Sequence, residues 1–266
     1  MLHKLTKSIL HALLVLQTIG STIAFSSSKR SLTMSTSNIS TKRVLVTGGN
    51  KGIGYAICKK LLEDHPDVYV ILGSRDKSRG EAAIQSLQSS VTDASDRLEL
   101  VELDTCSNDS IKKALESTGL NSNSKQLYGI VNNAGIGFGR GFKDTIETNF
   151  KGTKQVCDIF GPCLMRPYGR IVNIASASGP NFISRCQDKG LADKLANPIL
   201  FQESEGVDGI STLSELADSY LKLTDYGDDA YGLSKAFVNA YTVLYAKANP
   251  DLIVNSCSPG YILTGK

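Results

Sequence analysis

Tyr231 and Lys235, four residues apart near the end of the chain, have the types and spacing that proton transfer requires. In a helix this spacing places both side chains on one face. Tyrosine is a poor acid or base at neutral pH, but a neighbouring ammonium stabilises the phenolate and makes the hydroxyl a usable proton donor to a carbonyl oxygen. An ordinary helix face gives the same spacing, so the surrounding elements decide between the two interpretations.

A glycine-rich segment, TGGNKGIG at 47–54, is the second pattern with a chemical meaning. It lies between a short apolar run and an amphipathic run, as the turn between a strand and a helix does. Gly48, Gly52 and Gly54 would let the backbone turn tightly and approach a pyrophosphate with no Cβ in the way. The phosphates would then meet the free amides at the start of the helix. A plain strand–helix turn is the alternative, but the position at the head of a βαβ unit favours dinucleotide binding.

The residues after the second predicted strand bear on which dinucleotide binds. NAD-dependent enzymes usually carry an acid about 20 residues past the glycine motif, and Ser74 holds that position here. Arg75 follows it, and Lys51 lies within the glycine segment. Two cations without the acid suit a 2′-phosphate, and we expect the competing acid, Asp76, to point away. The sequence therefore predicts NADPH rather than NADH.

Apolar, β-branched runs alternate with segments of helical length from residue 42 onward. The predicted strands are 43–47, 68–73, 97–103, 127–133, 170–176 and 252–260. The predicted helices are 53–64, 78–90, 108–118, 145–164 and 231–249. This alternation predicts an α/β fold, a Rossmann-like, doubly wound parallel sheet flanked by helices, with right-handed crossovers.

Residues 180–227 interrupt the alternation. They are polar, and the spacing of apolar residues over 211–223 is helical. We expect a helical insertion, with one or two helices lying over the carboxyl edge of the sheet, before Tyr231. A disordered loop is the alternative.

Several motifs occur together in the order found in one family. They are TGGNKGIG (47–54), NNAG (132–135), the Asn of TNF (148–150), the Ser in IVNIASAS (171–178), YGLSK (231–235) and SPG (258–260). Over about residues 42–266 the chain resembles the classical short-chain dehydrogenases/reductases, and it is most similar to their monomeric carbonyl reductases. The resemblance implies NADPH-dependent reduction of ketones, aldehydes or quinones. A catalytically weak or regulatory dinucleotide-binding protein is the alternative.

The resemblance also implies a catalytic set. Tyr231 would be the general acid, and Lys235 would bind the nicotinamide ribose and support the tyrosine. Ser176 would hydrogen-bond the substrate oxygen as negative charge develops on it, with Ser178 as the alternative serine. Asn149 would order the active-site helix and a proton-relay water.

The cofactor-binding residues that the resemblance implies lie in the glycine segment and after the later strands. They are Gly48, Asn50, Lys51, Gly52, Ile53, Gly54, Arg75, Asp104, Asn132, Ala134, Gly135, Pro259, Gly260, Ile262 and Thr264, together with Tyr231 and Lys235. Asp104 would meet the adenine. Pro259, Gly260 and Ile262 would flank the nicotinamide, with Thr264 near its carboxamide and Tyr261 against the substrate.

Two features set this chain apart within the family. Tyr231 follows Ser176 by 55 residues, where most members have about a dozen. The long gap resembles the insertion of the carbonyl reductases, which covers the surface that other members use to oligomerise, so we expect a monomer. It argues against a plastid 3-oxoacyl-carrier-protein reductase. The chain ends at YILTGK, where relatives continue, so we expect an incomplete chain or gene model, with a genuine short variant as the alternative.

Charge and cysteine content exclude other classes of function. The 29 basic and 26 acidic residues give a net charge of +3. Six basic residues and no acid fall within residues 1–43, so the rest of the chain carries −3, which argues against nucleic acid as the main partner. The six cysteines include no C-x-x-C pair and fit neither a metal site nor a disulfide framework. We expect buried, free thiols and a small-molecule partner.

The amino-terminal residues have the composition of a targeting leader. Residues 1–24 combine a basic start, an apolar run and small residues, as a signal peptide does. Residues 25–41 are rich in Ser and Thr and free of acids, as a transit peptide or a disordered segment is. Together they resemble the bipartite plastid leaders of algae with secondary plastids, which predicts a plastid location. Secretion, an endomembrane location, or a cytoplasmic protein translated from Met34 are the alternatives.

Overall fold

The computed structural model describes residues 41–120, 126–202, 208–222 and 229–260. Several sequence predictions lie outside these ranges: the leader up to residue 40, two parts of the predicted insertion, and Tyr261, Ile262 and Thr264. Within the described ranges, no helix combines the length and the apolar character that crossing a bilayer would need.

Six parallel strands form one sheet in the order β3-β2-β1-β4-β5-β6. They are β1 (Lys42–Thr47), β2 (Val68–Ser74), β3 (Leu98–Glu102), β4 (Leu127–Asn132), β5 (Arg170–Ile174) and β6 (Ile253–Cys257). The order reverses between β1 and β4, and such a switch point opens a crevice at the carboxyl ends of the strands where ligands bind. The predicted Rossmann-like sheet is therefore confirmed, with each predicted strand in place.

Nine α-helices lie in the described part of the chain. They are α1 (Gly52–Asp64), α2 (Lys77–Ser90), α3 (Asn108–Thr118), α4 (Phe142–Ile146), α5 (Gly152–Phe160), α6 (Ser178–Arg185), α7 (Lys189–Ala196), α8 (Gly209–Leu221) and α9 (Ala230–Ala248). The single helix predicted over 145–164 begins earlier and is divided. A π-helical turn, Glu147–Lys151, joins α4 to α5, and such turns occur frequently at functional sites.

Both faces of the sheet are buried, because successive residues of each strand point to opposite sides. Leu45 and Ile71 pack with Phe150 and Phe237 on one face. On the other face, β1 and β2 pack against helices α1 and α2 through a second apolar cluster. Helices therefore cover the sheet on both sides, which is the doubly wound arrangement that the sequence predicts.

The segment between β5 and α9 contains more structure than predicted. Three helices, α6, α7 and α8, lie in its described part, where one or two were expected. Leu213 and Ala217 of α8 are fully buried, and the Tyr220 ring meets the Phe237 ring of α9 edge-on at 6.5 Å. The longest of these helices thus packs against the helix that carries Tyr231 and contributes to the core.

Candidate active site

The turn between β1 and α1 can be made only with glycine at several positions. Gly48 and Gly52 have positive φ values of 64° and 57°, which side chains disfavour. At Gly54 an added Cβ would lie 2.3 Å from the Gly48 carbonyl oxygen. Lys51 precedes α1 in an extended conformation, and no side chain caps the first amides of the helix. The turn therefore leaves a cradle and free N–H groups that suit a phosphate.

Asn133 and Thr47 hold this turn against the end of β4. The side-chain Nδ2 of Asn133 donates to the Thr47 carbonyl at 2.9 Å and to the Gly48 carbonyl at 3.2 Å. The Thr47 hydroxyl accepts from the backbone amides of Asn133 and Ala134, each at 3.0 Å. Ala134, a predicted cofactor residue, is thereby fixed next to the glycine turn.

The structure places the Asn132 side chain in a different environment from that of Asn133. It is buried and donates to Asn173 Oδ1 at 2.8 Å and to the Cys157 sulfur at 3.2 Å. Asn173 in turn donates to the Thr242 hydroxyl of α9 at 2.9 Å. These bonds tie β4, β5 and α9 together. The asparagine side chain that contacts the glycine turn is that of Asn133, which sequence reasoning missed.

Asn149 lies in the π-helical turn and is almost completely buried. Its Oδ1 accepts from the Ile136 amide at 2.8 Å, and its Nδ2 donates to the Ile136 carbonyl at 3.0 Å. A Cβ at Gly135 would lie 3.0 Å from the same Oδ1, so glycine permits this close approach. The same Nδ2 also donates to the Ser234 hydroxyl of α9 at 3.0 Å. Asn149 thus connects the loop after β4 to the helix that carries Tyr231.

Lys235 lies beside the ring of Tyr231, as the sequence spacing predicts. Its Nζ is 5.7 Å from the centre of that ring and donates to the Ile174 carbonyl at the end of β5 at 2.7 Å. The side chain is only 6% exposed, and burial lowers the pKa of the Lys235 amine to about 8. The amine therefore still carries its charge at neutral pH and presents it to Tyr231.

Ser176 and Ser178 lie together at the start of α6. Their hydroxyl oxygens are 3.2 Å apart, and the Ser178 amide donates to Ser176 Oγ. A Cβ at Gly179, the next residue, would lie 2.9 Å from the Lys235 carbonyl carbon. The turn that carries both serines therefore packs directly on the helix of Tyr231 and Lys235.

The segment after β6 reaches the same turn. The Ser258 hydroxyl accepts from the Ala177 amide at 3.1 Å. Pro259 and Gly260 follow as the last described residues, and Gly260 has a φ of 77°. Of the candidates beyond β6, these two are therefore brought to the edge of the sheet where the serines lie.

The carboxylate of Asp76 caps its own helix. It accepts from the Arg79 amide at 2.9 Å, and the Arg79 side chain forms an ion pair with it at 2.9 Å. The Arg79 amide also lowers the pKa of this carboxyl group. The buried Ser74 hydroxyl donates to the Asp76 carbonyl, and Arg75 is exposed. Asp76 is thus engaged with α2, and the Arg75 side chain beside it is accessible.

The remaining cofactor candidates lie along the same edge. Asp104 follows β3, and its carboxylate accepts from the Cys106 amide at 3.0 Å. Asn50 is part of the glycine turn, and Ile53 packs in the first turn of α1 against the apolar cluster beneath it. They follow the carboxyl ends of β1 and β3, and of these two strands β1 borders the switch point of the sheet.

Phe138 contacts Tyr231, a contact that the sequence analysis did not predict. Its ring centre is 4.4 Å from that of Tyr231, with 50° between the ring planes. The Phe138 side chain is nevertheless 69% exposed. Because the residues are far apart in the chain, only the folded structure brings them together.

The glycine turn and the Asn149 connection lie within the part of the chain that a family model matches. The family model described as short chain dehydrogenase matches residues 42–186. This chain belongs to the short-chain dehydrogenase family. The predicted resemblance is confirmed.

Curated relatives place the chain close to the carbonyl reductases of this short-chain dehydrogenase family. It is similar to carbonyl reductase (NADPH) 3 of Mus musculus, with 33% identity over 244 residues that cover 83% of this chain and 81% of that protein. It is also similar to (+)-neomenthol dehydrogenase of Arabidopsis thaliana, with 30% identity over 255 residues that cover 83% of this chain and 82% of that protein.

Solved structures show the same short-chain dehydrogenase fold. Salutaridine reductase from Papaver somniferum has a TM-score of 0.69 at 22% identity, covering 84% of this chain and 87% of that one. Menthone neomenthol reductase from Mentha piperita has a TM-score of 0.67 at 26% identity, and the match covers 81% of this chain and 88% of that one. The sheet and its flanking helices are therefore shared well beyond the residues that the family model matches.

Proposed function

We propose that this oxidoreductase reduces ketones, aldehydes or quinones to alcohols, with NADPH as the hydride donor and Tyr231 as the proton donor. The observation that carries the proposal is the placement of Lys235. Its ammonium is held by the Ile174 carbonyl beside the Tyr231 ring, where it stabilises the phenolate left after proton transfer. An ordinary helix face would leave such a lysine in solvent.

The cofactor is NADPH, and the residues present fit it. The glycine cradle and the free amides of α1 would hold the pyrophosphate. Arg75 and Lys51, both exposed, would bind the 2′-phosphate, since Asp76 is engaged in capping α2. The names of the carbonyl reductase relatives carry the same cofactor. When bound, the nicotinamide supplies a hydride to the carbonyl carbon.

The protein supplies the proton and the orientation. Tyr231 would donate its hydroxyl proton to the substrate oxygen. Ser176, or its neighbour Ser178, would hydrogen-bond the same oxygen as charge develops on it. Asn149 would hold the loop after β4 and the tyrosine helix in register through its bonds to Ile136 and Ser234.

Assembly and location are further parts of the proposal. Helix α8 buries Leu213 and Ala217 against α9, which supports a monomer because it covers part of that helix. Light scattering of the purified protein should give the mass of one chain. We also propose plastid targeting by the leader. A fluorescent protein fused to residues 1–45 should enter the plastid, and a cytosolic signal would contradict this.

A substrate panel tests the proposed reaction. The purified protein should oxidise NADPH in the presence of quinones, aromatic ketones and aliphatic aldehydes, and mass spectrometry should identify the alcohol formed. NADH should support the reaction much more weakly. NADPH binding without turnover of any of these carbonyl compounds would contradict the proposal.

A further inference from the structure

We propose that Asp218 of α8 is a positioning residue for the reaction. Through an ion pair with Lys151, it holds the π-helical turn in the form that Asn149 needs to connect the loop after β4 to α9. This inference rests on the proposed carbonyl reductase function. It concerns how the segment between β5 and α9 supports the same site.

The ion pair between Asp218 and Lys151 is the first observation. Lys151 is the last residue of the π-helical turn, two residues after Asn149, and its Nζ donates to Asp218 Oδ1. The Lys151 side chain is half-buried, so salt and solvent screen this pair less than a fully exposed one. The pair joins two elements that are 67 positions apart in the chain. It therefore fixes the end of the π-helical turn against α8.

Aromatic packing beside the ion pair is the second observation. Phe150, the residue between Asn149 and Lys151, stacks on Phe237 of α9 with ring centres 5.2 Å apart and 24° between the planes. The Tyr220 ring of α8 contacts the same Phe237 ring edge-on. The turn is thus connected to α8 directly by charge and indirectly through the Phe237 ring.

The backbone of the turn is the third observation. A π-helical turn contains one residue more than an α-helical turn, and its i→i+5 hydrogen bonds are rare in proteins. Each residue of an α-helix rotates the chain by about 100°, so a return to α-helical bonding would rotate one side of the turn relative to the other. Asn149 could then no longer keep its bonds to both Ile136 and Ser234. Contacts outside the turn, such as the ion pair, therefore decide whether Asn149 reaches both partners.

The strength of such pairs sets the size of the expected effect. A partly exposed ion pair is worth up to about fivefold in an equilibrium constant, and a like charge in its place adds a repulsion of similar size. A displacement of about 1 Å can lower a rate by about 100-fold, so these small energies are enough to alter kcat. The residues proposed to hold the phosphates of NADPH belong to the turn between β1 and α1, so cofactor affinity should not change.

Variants at Asp218 test the proposal against a matched ion pair. The Lys154–Asp158 pair lies within α5, and its side chains are 24% and 46% exposed, against 23% and 48% for the pair at α8. We would measure kcat and KM for Asp218→Asn, Asp218→Lys and Asp218→Glu, with Asp158→Asn and Asp158→Lys as controls. The substrate is a carbonyl compound that the wild type reduces. The dissociation constant of NADPH and urea unfolding would be measured for every variant.

The expected result is a fall in kcat of about two- to fivefold in Asp218→Asn and about 5- to 20-fold in Asp218→Lys. Asp218→Glu keeps the charge and should restore most of the activity. KM and the dissociation constant of NADPH should stay within about twofold. Both Asp158 variants should keep the kcat of the wild type, even though they lose as much stability in urea as the matching Asp218 variants.

Three outcomes would overturn the role of Asp218 while leaving the reductase function intact. They are an unchanged kcat in Asp218→Lys, an equal fall in Asp158→Lys, and a fall in Asp218→Glu as large as that in Asp218→Lys. No turnover of any carbonyl compound by the wild type would refute the proposed function, and this role with it.

Discussion

The side-chain amide of Asn149 donates to the Ser234 hydroxyl at 3.0 Å, linking the π-helical turn to helix α9. The same Ser234 hydroxyl donates to the backbone carbonyl of Tyr231 at 2.8 Å, so Asn149 is linked to Tyr231 through Ser234. The Ser234 side chain is fully buried. The position of the first turn of α9, where Tyr231 lies, therefore depends on a residue that does not reach the substrate.

Ser234→Ala should disturb Tyr231 without touching the cofactor. The change removes one partner of the buried Asn149 amide, so we expect the free energy of unfolding to fall by about 1–2 kcal/mol. Displacement of Tyr231 should lower kcat by about 10-fold, with NADPH affinity unchanged. Urea unfolding and steady-state kinetics measure both effects. Ser184→Ala, which removes an exposed hydroxyl of α6, is the control, and equal effects from the two variants would contradict this role.

The buried amine of Lys235 should make stability depend on pH. Its pKa is about 8 in the fold and 10.5 ordinarily, so between these values the unfolded chain keeps a proton that the folded chain has released. The contribution of Lys235 to the free energy of unfolding should therefore rise with pH across this window, by on the order of 2–3 kcal/mol. Buried cysteine and tyrosine side chains with raised pKa values contribute in the opposite direction, so the effect of Lys235 is measured as a difference between variants.

Lys235→Met lacks this dependence and provides the comparison. At pH 7 the wild type bears the cost of a buried ammonium, and at pH 10 it does not. Between pH 7 and pH 10, the free energy of unfolding of the wild type should therefore increase by this amount relative to that of Lys235→Met. Lys77→Met, at an exposed position, should show no such shift. Parallel pH curves for wild type and Lys235→Met would contradict the prediction.

Arg75 and Lys51 should determine the choice of cofactor. Charged hydrogen bonds are each worth about 1.5–3 kcal/mol, so replacing either cation with alanine should raise KM for NADPH about 10- to 100-fold. KM for NADH should change little, because NADH lacks the 2′-phosphate. Lys77→Ala, at the exposed first residue of α2, is the control. A parallel rise for both cofactors would show that these side chains act on the fold instead.

Gly54→Ala should damage the phosphate cradle. The added Cβ would meet the Gly48 carbonyl oxygen at 2.3 Å, and a backbone atom cannot move aside by changing rotamer. We expect a loss of about 1–3 kcal/mol in the free energy of unfolding and at least 10-fold weaker NADPH binding, measured by urea unfolding and fluorescence titration. Gly190→Ala in α7, where the nearest atom would be 3.4 Å away, should be neutral or stabilising. Normal cofactor binding by Gly54→Ala would rule out this role.

The sheet and the glycine turn were predictable because they depend on local sequence. Apolar runs such as 43–47 and 68–73 can form buried parallel strands only if helices cover both faces. The glycines of the turn are required by backbone geometry that other residues disfavour. Tyr231 and Lys235 were predictable as a pair because helical spacing alone places them on one face.

Other features depend on contacts between distant residues. Which asparagine of NNAG reaches the glycine turn is decided by where β4 ends, since successive side chains of a strand point to opposite sides. Spacing did not distinguish the π-helical turn around Asn149 from an ordinary helix, because the turn alters the local repeat only once. Phe138 and Tyr231 meet through tertiary packing, which no periodic pattern records. Helices α6 and α7 are short, with eight residues each, so their apolar spacing is a weak signal.

The most direct test of the central claim compares Tyr231→Phe with the wild type. The measurement is NADPH consumption and alcohol formation with a carbonyl compound that the wild type reduces, alongside the dissociation constant of NADPH. Loss of the hydroxyl removes the proposed proton donor, so kcat/KM should fall by about 10²–10⁴, with NADPH binding unchanged within about twofold. Wild-type turnover in Tyr231→Phe would contradict the assignment of Tyr231 as the proton donor.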